Sequence, residues 1–128
     1  IVFSDEQKRQ RLEAITHPRI HELALSRFAA EKAKRPPLIV YECPLFFESA
    51  LDKKGFGAVV AIVCEESTAI TRVMKRDGLS RDAVLLRLKQ QLPAKEKAAR
   101  ADYVIHNDGP LAELEKAIQS LYLVLTNA

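Results

Sequence analysis

The chain has 128 residues, of which 48% are apolar and 6% aromatic, and its 20 basic residues nearly balance 17 acidic ones, for a net charge of +3. This length predicts one domain with enough apolar residues to bury a core. The small net charge and the scarcity of aromatic rings argue against a nucleic-acid partner, which needs a basic surface and stacking side chains. A mildly basic chain suits a small anionic ligand instead, provided that its cations converge.

Cysteine usage and hydropathy bear on where the protein works. Cys43 and Cys64 lie in apolar runs 21 positions apart, and neither belongs to a C-x-x-C pair. We interpret both as buried thiols, which favours a reducing, cytoplasmic location. No apolar run approaches the roughly 20 residues of a membrane span, so we expect no membrane partner. The chain begins at Ile1 in what reads as an internal stretch, and we expect an N-terminal segment to precede it.

Helical patterns fill the first part of the chain. Ser4 followed by Gln7 predicts a capping box at the start of a helix. That helix is predicted to end near His17, because the residue before a proline disfavours helical dihedral angles, and Pro18 then begins a second helix. The cations and prolines of "KAKRPP" predict the end of the second helix.

Three apolar runs follow as strand candidates, at Leu38–Tyr41, Ala58–Val63 and Tyr103–Ile105. Each is continuously apolar rather than alternating, which is typical of buried parallel strands. Helical patterns separate the second run from the third, and a final helix is predicted after Pro110. Strands that alternate with helices predict an α/β fold with a parallel sheet.

The acid that ends the first predicted strand is the first candidate for chemistry. Ligands of open α/β sheets bind at the carboxyl ends of the strands, and Glu42 stands at such an end. A carboxylate there can hold Mg²⁺ directly or through water, as the acid that closes a Walker B strand does. The alternative is that Glu42 caps a helix or pairs with a lysine, and the local sequence favours neither reading.

Arginines form the second candidate site. Arg72 and Arg76 are four residues apart on a predicted helix and therefore share a face, and Arg87 follows beyond a break at Gly78. Two short helices joined by a glycine break are suited to a lid over phosphates, because guanidinium groups match phosphate oxygens bidentately. The alternative, which the spacing alone favours, is a solvated cationic face.

Histidines and glycines give weaker signals. His17 and His21 share a helical face, but the residues between them do not form the HExxH zinc motif, so we expect no metal there. We expect His17 instead to be a hydrogen-bond partner of the protein or of a substrate. None of the four glycines belongs to a GxxxxGK[ST] or GxGxxG phosphate-binding motif.

Three segments, in this order, resemble dephospho-coenzyme A kinase, which phosphorylates the ribose 3′-hydroxyl of dephospho-CoA. "VFSDEQKRQRLEAITHPRI" is similar to the family's segment that ends in a His-Pro helix start. "IVYECPLFFES" is similar to its strand followed by Asp-x-Pro-Leu-Leu-Phe-Glu. "RVMKRDGLSRDAVLLRLKQQLPAKEKAARADYVIHNDG" is similar to its lid and the next strand. The resemblance covers essentially the whole chain and implies a P-loop kinase fold, with ATP as phosphoryl donor and Mg²⁺ as cofactor.

The resemblance also implies roles for individual residues. Glu42 matches the metal-side acid, which is usually Asp in the family. Its extra methylene counts against direct coordination, since Mg²⁺ tolerates little geometric slack. The other implied positions fall into three groups. The acceptor is bound by His17 and by the floor residues Leu45, Phe46 and Phe47. The catalytic residues are Arg72, Arg76 and Arg87, which face the ATP phosphates, and Lys97, which matches the family's lysine. Asn107 and Gly109 lie beside adenine. Plain core packing is the alternative for the floor residues.

The sequence departs from the family at its start. The family's first strand, its P-loop and an early aspartate base have no counterpart here, which is about a third of the family's length. We expect one domain, 1–128, the C-terminal two-thirds of such a kinase: acceptor-side helices at 1–36, core at 37–65 and 101–128, and lid helices at 66–100. The Leu38 strand would be separated from the others by the missing first strand, and this fragment alone is expected to be inactive. Another P-loop nucleoside or nucleotide kinase and a non-catalytic ligand-binding module stay open as alternatives.

Overall fold

The structure is a computed structural model that describes residues 5–49 and 55–127. The chain divides into two units, residues 1–41 and 42–128. The first unit contains the helix α1 (Glu6–Ala33). The second contains, in chain order, β1 (Val60–Val63), α2 (Glu66–Asp77), α3 (Arg81–Leu88), α4 (Ala94–Arg100), β2 (Tyr103–His106) and α5 (Leu111–Thr126).

Helix α1 is one continuous helix of 28 residues, so the predicted break before Pro18 is wrong. Pro18 lies inside α1, where it has no N–H to donate to the carbonyl one turn earlier. Good helix formers on both sides, mainly Ala, Leu, Glu, Lys and Arg, sustain a cooperative helix across this gap. Ser4 lies outside the described residues, and the N-cap is Asp5, whose side chain accepts a hydrogen bond of 3.1 Å from the Lys8 amide.

The predicted end of this helical region at "KAKRPP" is confirmed. Lys34 is the C-cap of α1, and its ammonium group pairs with the Glu31 carboxylate at 2.7 Å. Arg35 then turns into the left-handed region at φ 52°, and Pro36 cannot continue the helix. Farther along the same unit, the rings of Phe28 and Tyr41 meet edge to face, with centroids 5.5 Å apart.

The predicted strand at Leu38–Tyr41 is wrong, because the structure places no strand there. Val40 is 80% exposed. A strand exists only through hydrogen bonds to a neighbour, and an apolar run carries no information about whether a neighbour is present. Among the described residues, this segment has no partner strand.

The other two predicted strands are confirmed and form a two-stranded parallel sheet. The register pairs Val60 with Tyr103, Ala61 with Val104, Ile62 with Ile105, and Val63 with His106. Asp102 fixes the start of this pairing, since its amide donates to the Val59 carbonyl and its carboxylate accepts from the Val59 amide, both at 2.8 Å. The predicted α/β class with parallel strands is therefore confirmed.

The helices predicted after β1 are also confirmed, including the glycine break between the first two. Gly78 ends α2 in the left-handed conformation, at φ 66°, and its amide donates to the Met74 carbonyl at 3.0 Å. Ser80 then caps α3 by accepting from the Ala83 amide at 3.3 Å. Pro110 precedes α5, as predicted.

The core of the second unit is small. Among residues 5–49 and 55–127, the buried apolar side chains are Ala61 and Ile105 of the sheet, Ile70 of α2 and Val84 of α3. Cys43 and Cys64 are free thiols, as predicted, although both are only half-buried. None of the described helices is long and apolar enough to cross a membrane.

Candidate active site

Two hydrogen bonds join the chain segments that follow β1 and β2. The Asn107 amide donates to the Val63 carbonyl at 2.7 Å, which extends the parallel pairing one step beyond the strands. The Glu65 amide donates to the Asp108 carboxylate, also at 2.7 Å. The loop after β2 and the start of α2 are therefore held together at the carboxyl end of the sheet, where α/β proteins bind ligands.

Arg72 and Asn107, two of the predicted site residues, lie in direct contact at this end of the sheet. Arg72 projects from α2, and its guanidinium donates to the Asn107 carbonyl oxygen at 2.5 Å. An open cavity of about 300 Å³ lies along the same helix, lined by Ser67, Thr68, Thr71 and Arg72. Hydroxyl groups and a guanidinium are hydrogen-bond donors that suit a phosphate or a sugar hydroxyl.

Arg76 and Arg87, the other two predicted arginines, meet at the Asp77 carboxylate. Arg76 binds it with two nitrogens, at 2.7 and 3.1 Å, and Arg87 binds it with one, at 3.3 Å. These contacts cross the Gly78 break, because Arg76 belongs to α2 and Arg87 to α3. The structure thus brings one arginine from each predicted lid helix to a single oxyanion.

The contacts within this cluster lower the pKa of Asp77 and raise the pKa of Arg76. The hydrogen bond from Arg76 is the main reason that the pKa of Asp77 falls below its ordinary value, and the charge of Arg87 contributes in the same direction. The pKa of Arg76 rises, chiefly through the same hydrogen bond. The arginine side chains remain 74% and 55% exposed, so water competes with the ion pairs and a dissolved anion can reach both guanidinium groups.

Lys97 contacts the segment that follows Glu42. Its ammonium nitrogen is 2.9 Å from a carboxylate oxygen of Glu48 and 3.3 Å from the Pro44 carbonyl oxygen. Burial raises the pKa of Glu48, but the hydrogen bonds from Lys97 and from the Leu92 amide outweigh it, so the net shift is downward. The carboxylate is therefore held in its charged form.

The proposed floor residues belong to a hydrogen-bonded turn. The Phe46 amide donates to the Cys43 carbonyl at 3.1 Å, and the Ser49 amide donates to the Leu45 carbonyl at 2.9 Å. The Phe46 ring packs edge-on against Phe47 and, at 5.4 Å between centroids, against Phe56. Leu45 is 48% exposed, so of the three floor residues it offers the most surface to a ligand.

The Glu42 carboxylate is a type of group that binds Mg²⁺, but the described residues place few other metal-binding side chains near it. It is exposed, and neither a hydrogen bond nor an ion pair joins its carboxylate to another described residue. Within the part of the chain that the structure describes, no three His, Cys, Asp or Glu side chains cluster as a metal site would require. One carboxylate fits the usual binding of Mg²⁺ in kinases, where phosphates and water supply the other oxygens.

Neither His17 nor Gly109 takes part in the contacts described above. His17 is exposed on α1, in the first unit. Gly109 is exposed between β2 and α5, next to the Glu113 carboxylate. Their predicted roles, in acceptor binding and beside adenine, stay predictions.

Sequence reasoning missed three acids that organise the site: Glu48, Asp77 and Asp108. For Asp77 the signal was its position directly after Arg76 and before the glycine break. For Glu48 it was the match of this acid to the Glu that ends the family's Asp-x-Pro-Leu-Leu-Phe-Glu segment. Nothing local marks Asp108, because its partner is the amide of Glu65, 43 residues earlier.

A family profile described as "CoaE: Dephospho-CoA kinase" matches residues 1–113. The chain belongs to the dephospho-CoA kinase family. Among curated relatives, dephospho-CoA kinases of Syntrophotalea carbinolica and Geobacter sulfurreducens are 45% and 41% identical to it, over 94% and 95% of the chain.

Solved structures agree with this family and its P-loop kinase fold. A crystal structure from Thermus thermophilus matches with a TM-score of 0.77 at 35% identity, over 98% of this chain and 63% of its own. Dephospho-CoA kinase from Campylobacter jejuni matches with a TM-score of 0.60 at 32% identity, over 94% of this chain and 61% of its own. The chain spans 56% and 61% of the length of the two curated relatives named above.

Proposed function

We propose that the full-length protein containing this chain is a dephospho-CoA kinase, which transfers the γ-phosphoryl group of ATP to the 3′-hydroxyl of dephospho-CoA. This is the last step of coenzyme A synthesis. Family membership supports the reaction. At the level of residues, the observation that supports this reaction is that Arg76 and Arg87 both bind the Asp77 carboxylate. Two guanidinium groups directed at one oxyanion match what a transferring phosphoryl group requires.

The arginine cluster supplies the electrostatic part of the mechanism. Phosphoryl transfer depends almost entirely on positioning and on neutralising charge at the phosphoryl oxygens. In this proposal, phosphate oxygens take the place of the Asp77 carboxylate and receive the hydrogen bonds of Arg76 and Arg87. Because the two arginines come from different helices, binding the phosphates also fixes α2 and α3 relative to each other.

The loop after β2 takes the nucleotide base in this scheme. Asn107 and Gly109 border adenine, and Arg72 braces the loop through the Asn107 carbonyl. That bond uses part of the Arg72 guanidinium and leaves its other N–H groups for a phosphate. In the cavity beside Arg72, the hydroxyls of Ser67 and Thr68 offer further donors to the nucleotide, while the Thr71 hydroxyl donates to the Ser67 carbonyl.

The turn after Glu42 takes the acceptor, with Leu45, Phe46 and Phe47 as its apolar floor. Glu42 is the residue that would hold Mg²⁺, which neutralises charge on the β- and γ-phosphates when bound. The exposure of this carboxylate and its lack of a partner among the described residues support that role. His17 stays a predicted contact of the acceptor.

We also infer the setting in which the enzyme works. Its substrates are ATP and dephospho-CoA, and neither nucleic acid nor membrane is a partner. The free thiols Cys43 and Cys64 support a cytoplasmic location. Residues 66–100 form the lid in this scheme, and residues 37–65 and 101–128 form the core.

The test is an acceptor panel with the full-length protein, ATP and Mg²⁺. We expect ADP formation that depends on dephospho-CoA and gives coenzyme A, with little turnover of nucleoside monophosphates. Turnover of a nucleoside monophosphate in place of dephospho-CoA would assign the protein to the nucleotide kinases. Binding of both substrates without ADP formation would make it a non-catalytic binding module. Either result contradicts the proposal.

A further inference from the structure

The Lys97 ammonium group has three oxygen partners, one in an ion pair and two in hydrogen bonds, and these contacts limit what the group can do. The acceptors are the Glu48 carboxylate at 2.9 Å, the Pro44 carbonyl at 3.3 Å and the Gln91 side-chain oxygen at 3.3 Å. An ammonium group has three N–H donors, so three oxygen partners match its full donor capacity. Lys97 therefore has no hydrogen bond left for a phosphate in this arrangement.

Glu48 is the centre of the same network. The oxygen that accepts from Lys97 also accepts from the Leu92 amide at 2.8 Å. Its other carboxylate oxygen is buried and has no partner among the described residues. Glu48 thus links the turn at 43–49 to the α3–α4 connection, through Leu92, and to α4, through Lys97.

Burial separates this ion pair from the arginine cluster. The side chains of Glu48 and Lys97 are 17% and 18% exposed, whereas those of Arg76 and Arg87 are 74% and 55% exposed. A pair that is largely shielded from water is held in one geometry, while an exposed pair exchanges readily with solvent. The first arrangement suits a fixed structural link, and the second suits the capture of a ligand.

We propose that Glu48 and Lys97 form a clamp that positions the acceptor turn, residues 43–49, against the lid, with Lys97 acting through Glu48 and not on a phosphate. The clamp also includes Pro44, Gln91 and Leu92. The inference rests on the proposed function, because the turn carries the acceptor floor only in a dephospho-CoA kinase. It changes the role of Lys97 from a catalytic residue to a positioning residue.

The clamp affects one substrate more than the other. Loosening the turn displaces Leu45 and its neighbours, which bind the acceptor, but leaves Arg76 and Arg87 where they are. We therefore expect loss of the clamp to raise the KM for dephospho-CoA about tenfold, as coupled contacts in one network allow. The KM for ATP stays within about twofold of the unmodified protein, which is the size of a small surface effect.

The experiment compares Glu48→Gln, Lys97→Met and the double variant in the full-length protein. Lys95→Met is the control, because Lys95 is an exposed lysine of the same helix that forms no ion pair with the described residues. Hydrogen exchange of the Phe46, Ser49 and Leu92 amides reports on the clamp without any need for activity. Steady-state kinetics with each substrate varied in turn reports on its role.

The expected result has three parts. Each single variant speeds hydrogen exchange at these amides about tenfold. The double variant shows the same exchange rates as either single variant, because both substitutions break one network. Of the two KM values, only that for dephospho-CoA rises. Additive effects of the two substitutions, or exchange no faster than in Lys95→Met, would overturn the clamp. A raised KM for ATP in Lys97→Met alone would instead make Lys97 a phosphate ligand. If the unmodified protein forms no ADP, the proposed function fails, while the exchange rates still decide whether the clamp exists.

Discussion

At the scale of single residues, acids determine where the candidate site cations lie. Asp77 gathers Arg76 and Arg87, Glu48 holds Lys97, and the Asp108 side chain ties the loop after β2 to the start of α2. Each acid contacts a group from another element or across a break. Substitution of the acids therefore tests the site without removing a cation.

Asp77→Asn is expected to strengthen ATP binding. The carboxylate competes with phosphate for Arg76 and Arg87, and because an exposed ion pair is weak, the Kd for ATP should fall by no more than about fivefold. Isothermal titration calorimetry measures it in the full-length protein. Asp82→Asn, in the first turn of α3, is the control for the loss of one negative charge. Weaker ATP binding in Asp77→Asn would show that Asp77 prepares the arginines rather than competing for them.

Glu48 makes the stability of the fold depend on pH. Its pKa lies below the ordinary value of 4.5 in the folded state, so its contribution is fully present above that pH and is lost as the pH falls through the folded pKa. Denaturant titrations at pH 6 and pH 3.5 should therefore show a smaller loss of stability in Glu48→Gln than in the unmodified chain. Glu115→Gln, an exposed acid of α5, is the control. An equal loss in Glu48→Gln and the unmodified chain would contradict this assignment.

At the scale of elements, two proline and glycine positions show what the sequence does and does not determine. Gly78 was predicted as a helix break and is one, because a left-handed residue is the usual end of a helix. Pro18 was predicted as a break and is not one, because the preference of residues before proline is statistical and helix formation on both sides overrides it.

Pro18→Ala is expected to stabilise α1. The substitution restores one backbone hydrogen bond and removes the ring from the helix interior, a gain of about 1–3 kcal/mol in local helix stability. Circular dichroism through a thermal transition measures it, with Arg19→Ala as the control at the next, also exposed, position. Lower helicity in Pro18→Ala would mean that Pro18 begins a second helix, as the sequence alone predicts.

Gly78→Ala is expected to destabilise the lid by about 1 kcal/mol, because an alanine at φ 66° is strained. An added methyl group would meet nothing within 4 Å at Gly78 or at Gly57, but only Gly78 has a left-handed φ. Gly57→Ala is therefore a matched control, which should change stability by less than about 0.5 kcal/mol. Urea denaturation compares the two. Equal losses of stability in the two variants would show that the left-handed φ of Gly78 is not the cause of the destabilisation.

At the scale of the whole molecule, the sequence predicted the elements better than the contacts between them. Hydrophobic periodicity predicted α2, α3 and α5, and continuously apolar runs predicted both strands. The apolar-run signal failed at Leu38–Tyr41, since strand formation requires a neighbour that the segment itself does not encode. The contacts between Arg72 and Asn107, 35 residues apart, and between Lys97 and Glu48 depend on tertiary packing and had no local signal.

We propose that Arg76 and Arg87 act together on the transferring phosphoryl group. The most direct measurement is kcat/KM for dephospho-CoA-dependent ADP formation by the full-length protein, with Arg76→Gln, Arg87→Gln and, as control, Arg81→Gln at the exposed start of α3. We predict losses of about 10²–10³-fold for the first two, which is typical when a transition-state charge partner is removed, and less than about threefold for the control. Equal, small losses in all three variants would contradict the claim and leave the arginines as a solvated cationic face.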